Sequence, residues 1–237
     1  MKGVVLAGGK GSRLQPMTGV VNKHVLPVYD DPMIFYPVRT LLRSGIDDIL
    51  VISTPEDIGR YIQLLEEEFS ASFSYRVQKE PKGIAHALGL AADFVDDTVA
   101  VMLGDNIILE DLNTEFATFE EGNKSAMILL NEVADPSRYG IAEVTDGTLH
   151  TLKEKPEHPE SNFAIIGLYL YTSDVFNVIP NLEKSDRGEY EITDVNNHYL
   201  NAGSLDYEII RGEWFDVGTP EGMFRAAQHV RDSRDSQ

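Results

Sequence analysis

The chain has 237 residues, 42% hydrophobic and 25% charged, and its 39 Asp and Glu outweigh 20 Lys and Arg to give a net charge of −19. That is an ordinary globular composition, long enough for one large domain or two small ones. The acidity argues against nucleic acid or an anionic membrane as partner, since both recruit clustered basic charge. The absence of cysteine excludes a disulfide framework and a thiolate metal site.

The amino terminus turns glycine-rich at Gly8-Gly9, too early for a signal peptide. No apolar run approaches the roughly 20 residues that span a bilayer, so a soluble cytoplasmic protein is expected. Acidic residues are scattered, as in Glu66-Glu67-Glu68, Asp96-Asp97 and Glu120-Glu121, which reads as a solvated shell and not an interaction tail. Such a shell would suit high salt, where screening relieves self-repulsion.

In chain order, positions 4–6 form a short apolar strand ending in glycines, and 33–43 have helical spacing that stops at Gly45, a C-cap. Positions 49–52 are continuously apolar, as in a strand buried on both faces. An amphipathic helix is expected over 57–69, with Ile58, Tyr61, Ile62, Leu65 and Phe69 on one side. A strand at 73–77, a helix at 84–94 and a second apolar strand at 99–103 follow. This alternation implies a three-layer, Rossmann-like α/β fold, its sheet mostly parallel with helices on both faces. Later positions are richer in β pattern: strands at 126–130, 140–144, 149–153, 164–171 and 206–210, with Asp146-Gly147 as a hairpin turn. Helices are expected at 173–179, 191–200 and 220–230, the last capped by Thr219, with a frayed tail over 231–237. One domain is expected, in two parts that meet near residue 120.

In parallel sheets, ligands bind beyond the carboxyl ends of the strands, which selects the loops 7–13, 53–56, 78–83 and 104–106. The first holds Gly8-Gly9-Lys10-Gly11-Ser12-Arg13, either a phosphate cradle or a tight strand-to-helix turn. It is neither a Walker A loop nor a dinucleotide fingerprint. Asp105, after an apolar strand and Gly104, is placed either to hold a divalent metal or to end the strand in an Asx turn. Asp216, between aromatics and Gly218, is a second metal candidate or a helix cap. Glu154-Lys155-Pro156 could meet sugar hydroxyls and a phosphate, or form an exposed ion pair, and Lys23 alone would pass for a surface lysine.

Together these segments resemble the sugar-1-phosphate nucleotidylyltransferase family, most of all its glucose-1-phosphate thymidylyltransferases. The matching stretches are 6–14, 23–27, 32–37, Gln78 with Gly83, 103–106, 138–140, 154–156, 188–194 and 214–218, in order along nearly the whole chain. The resemblance implies in-line attack of glucose-1-phosphate on the α-phosphate of dTTP, giving dTDP-glucose and pyrophosphate. The nucleophile is already an anion, so catalysis is mostly positioning and charge neutralisation. It further implies that Leu6, Gly8, Gly9, Gly11, Ser12 and Arg13 hold the triphosphate, with Lys23 on the α-phosphate. Asp105 and Asp216 would hold Mg²⁺, and Gln78 and Gly83 would read the base. Tyr139, Gly140, Glu154 and the backbone near Ile166 and Gly167 would hold the sugar, and Lys155 its phosphate.

The family often has glutamine where this chain has His24 and His86, and many relatives continue for some fifty residues beyond the last helix. Tetramer assembly and feedback control are therefore not carried over. A homodimer is the default expectation. UTP in place of dTTP is the near alternative, and a non-catalytic nucleotide-sugar sensor is the alternative from another class.

Overall fold

The computed structural model describes residues 1–234. The fold class is the expected one, mixed α/β and Rossmann-like, with parallel strand pairs and two small antiparallel sheets. Contacts define two compact units that interleave in sequence. One comprises Lys2–Pro81, Met102–Asp111 and the described residues from Gly212 on. The other comprises Met1, Lys82–Val101 and Leu112–Arg211.

In the first unit, Lys2–Leu6, Asp48–Ser53 and Ser72–Val77 run parallel, with Asp48–Ser53 between the other two. Ile49 through Ser53 are all buried, as the uninterrupted apolar run requires. The helix Phe35–Arg43 ends as a Schellman motif. Gly45 takes a left-handed φ of 77°, and the N–H groups of Gly45 and Ile46 donate to the carbonyls of Leu42 and Leu41. The amphipathic helix spans Ile58–Glu68 and buries Tyr61 and Leu65. Ile62, expected beside them, is 42% exposed, because it falls one position past the stripe that Tyr61 and Leu65 define.

Two strands of this unit overlap stretches read only as motif loops. Asn106–Ile108 pairs antiparallel with Trp214–Asp216. Val28, Met33, Tyr36, Ile107, Phe215, Val217, Ala226 and Val230 form the core around them. The closing helix spans Pro220–Arg234, so the tail expected to fray is helical through Arg234, and residues 235–237 lie outside the described residues. Thr219 caps this helix, its hydroxyl oxygen accepting from the Gly222 N–H at 3.1 Å.

The second unit is built on Phe163–Thr172, which pairs antiparallel with Ala126–Glu132 and with Gly140–Thr145. The hairpin from Gly140–Thr145 into Thr148–Glu154 turns at Asp146 and Gly147, both at positive φ. Leu205–Ile209 runs parallel to Ala126–Glu132. Two expected helices are shorter than the pattern suggested. That at 84–94 stops at Gly89, after which Leu90, Ala91 and Ala92 make tighter bonds three residues back. That at 173–179 is one turn, Val175–Val178, followed by a 3₁₀ turn at Ile179–Asn181 containing Pro180. The helix Asn113–Glu121 was not foreseen; only Phe116 and Phe119 are buried on it, too few to print a period. Among the described residues, no helix is long and apolar enough to cross a membrane.

Candidate active site

The sequence-selected residues fall into two clusters, one in each unit. In the first unit the strand Lys2–Leu6 runs into the glycine loop, where Gly11 takes a φ of 62° ahead of the 3₁₀ turn Ser12–Leu14. The loop lies directly on Lys23. A Cβ on Gly9 would stand 3.0 Å from Lys23 Cε, and one on Gly11 3.0 Å from Lys23 Cβ. A Cβ on Gly8 would stand 2.8 Å from Gln78 Oε1. The glycines therefore admit Lys23 and Gln78 beneath the loop, a packing role that a phosphate-cradle reading alone does not give them.

Lys23 is buried and ion-pairs with the buried Asp105 carboxylate. Burial alone would raise the Asp105 carboxyl, but Lys23 and His24 hold it well below the usual carboxylate range. The small antiparallel sheet brings the second aspartate here, since Asp216 is in register with Asn106 and the Val217 N–H donates to the Asp105 carbonyl at 2.9 Å. Burial and the neighbouring Asp105 charge push Asp216 up, against the Gly218 N–H, Arg13 and Lys23. Arg13 Nη1 stands 3.9 Å from Asp216 Oδ2, with most of the arginine exposed. Trp214 Nε1 donates to Asn106 Oδ1 at 2.7 Å, bracing this corner.

His24 is buried, and burial followed by Lys23 pushes its imidazole down to about 3, with Asp105 opposing. Its tautomer is fixed by Asn22, whose Oδ1 accepts from the His24 backbone N–H at 3.0 Å and lies 2.7 Å from Nδ1. Asn22 Nδ2 donates to Asp57 at 2.7 Å, so the amide cannot be turned round. Nδ1 is therefore the protonated nitrogen and Nε2 the acceptor.

Among the described residues, no group of three or more His, Asp or Glu is arranged for a metal. Asp105 and Asp216 are instead a pair of mostly buried acids, each unfavourable to the other's charge. A divalent cation that keeps several water and phosphate oxygens and takes one or two carboxylates fits such a pair.

In the second unit, Gly140 is in register with Glu154 across the hairpin. Glu154 Oε2 accepts from the Thr193 hydroxyl at 2.6 Å, and Oε1 accepts from Lys155 at 2.7 Å and Arg187 at 3.1 Å. Burial opposes the Glu154 charge, but these donors hold its carboxyl below the ordinary value. Lys155 adopts a left-handed φ of 40°, its side chain is 43% exposed, and its N–H donates to the Tyr139 carbonyl at 3.0 Å. A partly exposed ion pair of this kind adds little stability. Ile166 is buried, and the Arg138 guanidinium lies 5.5 Å from the Tyr139 ring centroid.

Gly83 is also in this unit. Its φ is 105°, and a Cβ there would fall 2.4 Å from the Tyr190 carbonyl oxygen. Gly83→Ala is therefore expected to destabilise by about 1–3 kcal/mol through backbone strain alone, read as a lower melting temperature. An unchanged Tm would show that the segment is free to move off Tyr190.

The sequence family described as Nucleotidyl transferase matches residues 2–233. The chain belongs to that family. This nucleotidyltransferase is 46% identical to the glucose-1-phosphate thymidylyltransferase of Mycolicibacterium smegmatis over 238 aligned positions, 98% of this chain and 82% of the relative. A crystal structure of a Bacillus anthracis protein assigned as a glucose-1-phosphate thymidylyltransferase, solved with sucrose, superposes with a TM-score of 0.93 at 46% identity, covering 98% of this chain and 96% of that one. A UDP-glucose pyrophosphorylase complexed with UDP-glucose superposes at 0.82 with 25% identity, covering 98% of each chain.

Sequence reasoning missed several residues that complete this nucleotidyltransferase's clusters. Arg187 shares Glu154 with Lys155, and Thr193 fixes the other carboxylate oxygen. Their signal was the density of charge from Arg187 to Asp194, a segment matched to the family over 188–194 but given no residue-level role. Asn22 and Asp57, which set the His24 tautomer, carried no signal, because nothing in sequence spacing joins them.

Proposed function

We propose that this nucleotidyltransferase joins dTTP and glucose-1-phosphate into dTDP-glucose and pyrophosphate. The observation that carries the reading is the Asp105–Asp216 pair set beside Lys23 and Arg13. It occurs in a chain 46% identical to a glucose-1-phosphate thymidylyltransferase.

Leu6, Gly8, Gly9, Gly11 and Ser12 line the triphosphate, and Arg13 holds the departing pyrophosphate. Lys23 neutralises the α-phosphate as charge develops there. Gln78 and the Gly83 backbone read the pyrimidine. Gly140, Glu154, Tyr139 and the backbone at Ile166 and Gly167 orient the sugar. Lys155, joined by Arg187, takes its phosphate. Asp105 and Asp216 would hold Mg²⁺, which supplies positive charge against the phosphate oxygens. The unit that supplies Asp105 and Asp216 thus serves the triphosphate, and the unit that supplies Glu154 serves the sugar and, through Gly83, also the base. No general base is required, because the attacking phosphate oxygen is already anionic. In a chain of net charge −19 meeting two polyanions, these few cations and the metal supply the local attraction that the whole surface does not.

UTP is the second reading, favoured by the full-length similarity to a UDP-glucose pyrophosphorylase. One methyl group in a pocket distinguishes the bases by only about 1–3 kcal/mol. A non-catalytic sensor would have no need of both acids and both phosphate cations. Pyrophosphate release measured for four triphosphates against several hexose-1-phosphates is expected to be fastest with dTTP and glucose-1-phosphate. Equal or faster turnover with UTP defeats the thymidylyl reading, and no release with any pair favours the sensor.

A further inference from the structure

Tyr190 sits between two segments that the proposed function gives to different substrates. On one side is the segment that begins at Lys82 and carries Gly83. The Tyr190 N–H donates to the Lys82 carbonyl at 2.8 Å, and the Ala85 N–H donates to the Tyr190 carbonyl at 3.2 Å. Gly83 lies flat against the Tyr190 backbone between those bonds, in a space where no side chain fits. The His86 ring stacks on the Tyr190 ring at 6.3 Å between centroids and 20° between planes.

On the other side is the loop that carries Arg187. The Gly188 N–H donates to the Ser185 carbonyl at 2.7 Å, and the Ser185 N–H to the Glu189 carbonyl at 2.9 Å, closing a tight turn. Arg187 reaches Glu154, Glu189 and Glu191 from that turn. Lys184, at the start of the loop, lies 5.7 Å from the Tyr190 ring centroid. The ring thus meets His86 from the first segment and Lys184 from the second, while its own backbone is bonded to the first.

We infer that Tyr190 is a positioning residue that couples nucleotide binding to sugar-phosphate binding. The inference rests on the proposed function, in which Gly83 meets the base and Arg187 and Glu154 meet the sugar phosphate. A base seated on the Gly83 backbone fixes the segment from Lys82 to His86. Through the Tyr190 ring, which meets both His86 and Lys184, the Arg187 loop is then fixed before the sugar phosphate arrives, so the second ligand meets a loop whose ordering cost has been met. The coupling is reciprocal, because the two affinities are thermodynamically linked.

The test is calorimetric titration of glucose-1-phosphate, with Mg²⁺ present, into the protein alone and into protein saturated with α,β-methylene-dTTP, which cannot transfer its nucleotidyl group. Wild-type protein should bind the sugar phosphate about fivefold or more tightly when the analogue is bound. In Tyr190→Ala that gain should fall below about twofold, while the analogue alone still binds within about threefold of wild type, because the residues assigned to the triphosphate are untouched. Tyr190→Phe, which keeps the stack, should retain the wild-type gain. A wild-type gain in Tyr190→Ala, a loss in Tyr190→Phe, or no gain in wild type overturns the coupling. In that last case the functional reading still stands if both ligands bind singly; if neither binds, both fall.

Discussion

Asp105→Asn should reduce turnover below detection while leaving the fold intact. The amide keeps an oxygen where Asn106 Nδ2 now donates at 3.3 Å, so the local turn retains its hydrogen bond. What disappears is one of two carboxylates and, among the described residues, the counter-charge that the structure pairs directly with Lys23. Breaking a buried pair by removing one partner costs about 3–5 kcal/mol, so a lower Tm is expected together with a native circular-dichroism spectrum. A readout independent of activity is the stabilisation given by Mg²⁺ with a non-transferable dTTP analogue. It should be clear in wild type and nearly absent in the variant. Turnover near the wild-type rate, or undiminished stabilisation, would remove Asp105 from metal binding. A variant that fails to fold would return it to the turn-ending role.

Lys23→Ala should lower kcat by a factor on the order of 10²–10³, the usual loss when one preorganised donor to developing charge is deleted. The structure adds a complication, because the Lys23 stem also supports the glycine loop at Gly9 and Gly11. Lys23→Met separates the two roles, keeping an apolar stem and losing the ammonium. If charge is what matters, Met should be nearly as slow as Ala while folding better. If Met restores kcat, Lys23 serves as packing and another cation must meet the α-phosphate.

Most strands were legible because burial on both faces leaves an uninterrupted apolar run, as at Ile49 through Ile52, and because Asp146-Gly147 allows only a tight hairpin. Positions under weaker local constraint were not. Asn113–Glu121 buries two phenylalanines and little else, and the helix expected over 84–94 was cut short at Gly89. Individual site positions could be chosen from loop chemistry, but their neighbours could not. Nothing local to Asp216 states that it meets Asp105; that follows from the register of two three-residue strands more than a hundred positions apart. Likewise Arg187 reached Glu154 only when the helix Ile192–Asn201 and the hairpin were both in place.

The order in which the first unit is spelled out along the chain has a consequence during synthesis. Its glycine loop, Lys23 and Asp105 emerge from the ribosome within the first half, but Asp216 is among the last residues of the unit to appear. Until then Asp105 has Lys23 and His24 near it but no second acid, and the core residues Val28, Met33 and Ile107 lack Phe215, Val217, Ala226 and Val230. A nascent chain that has not yet reached residue 216 holds the glycine loop, Lys23 and Asp105 but not the second acid, so on the proposed function it should consume no nucleotide.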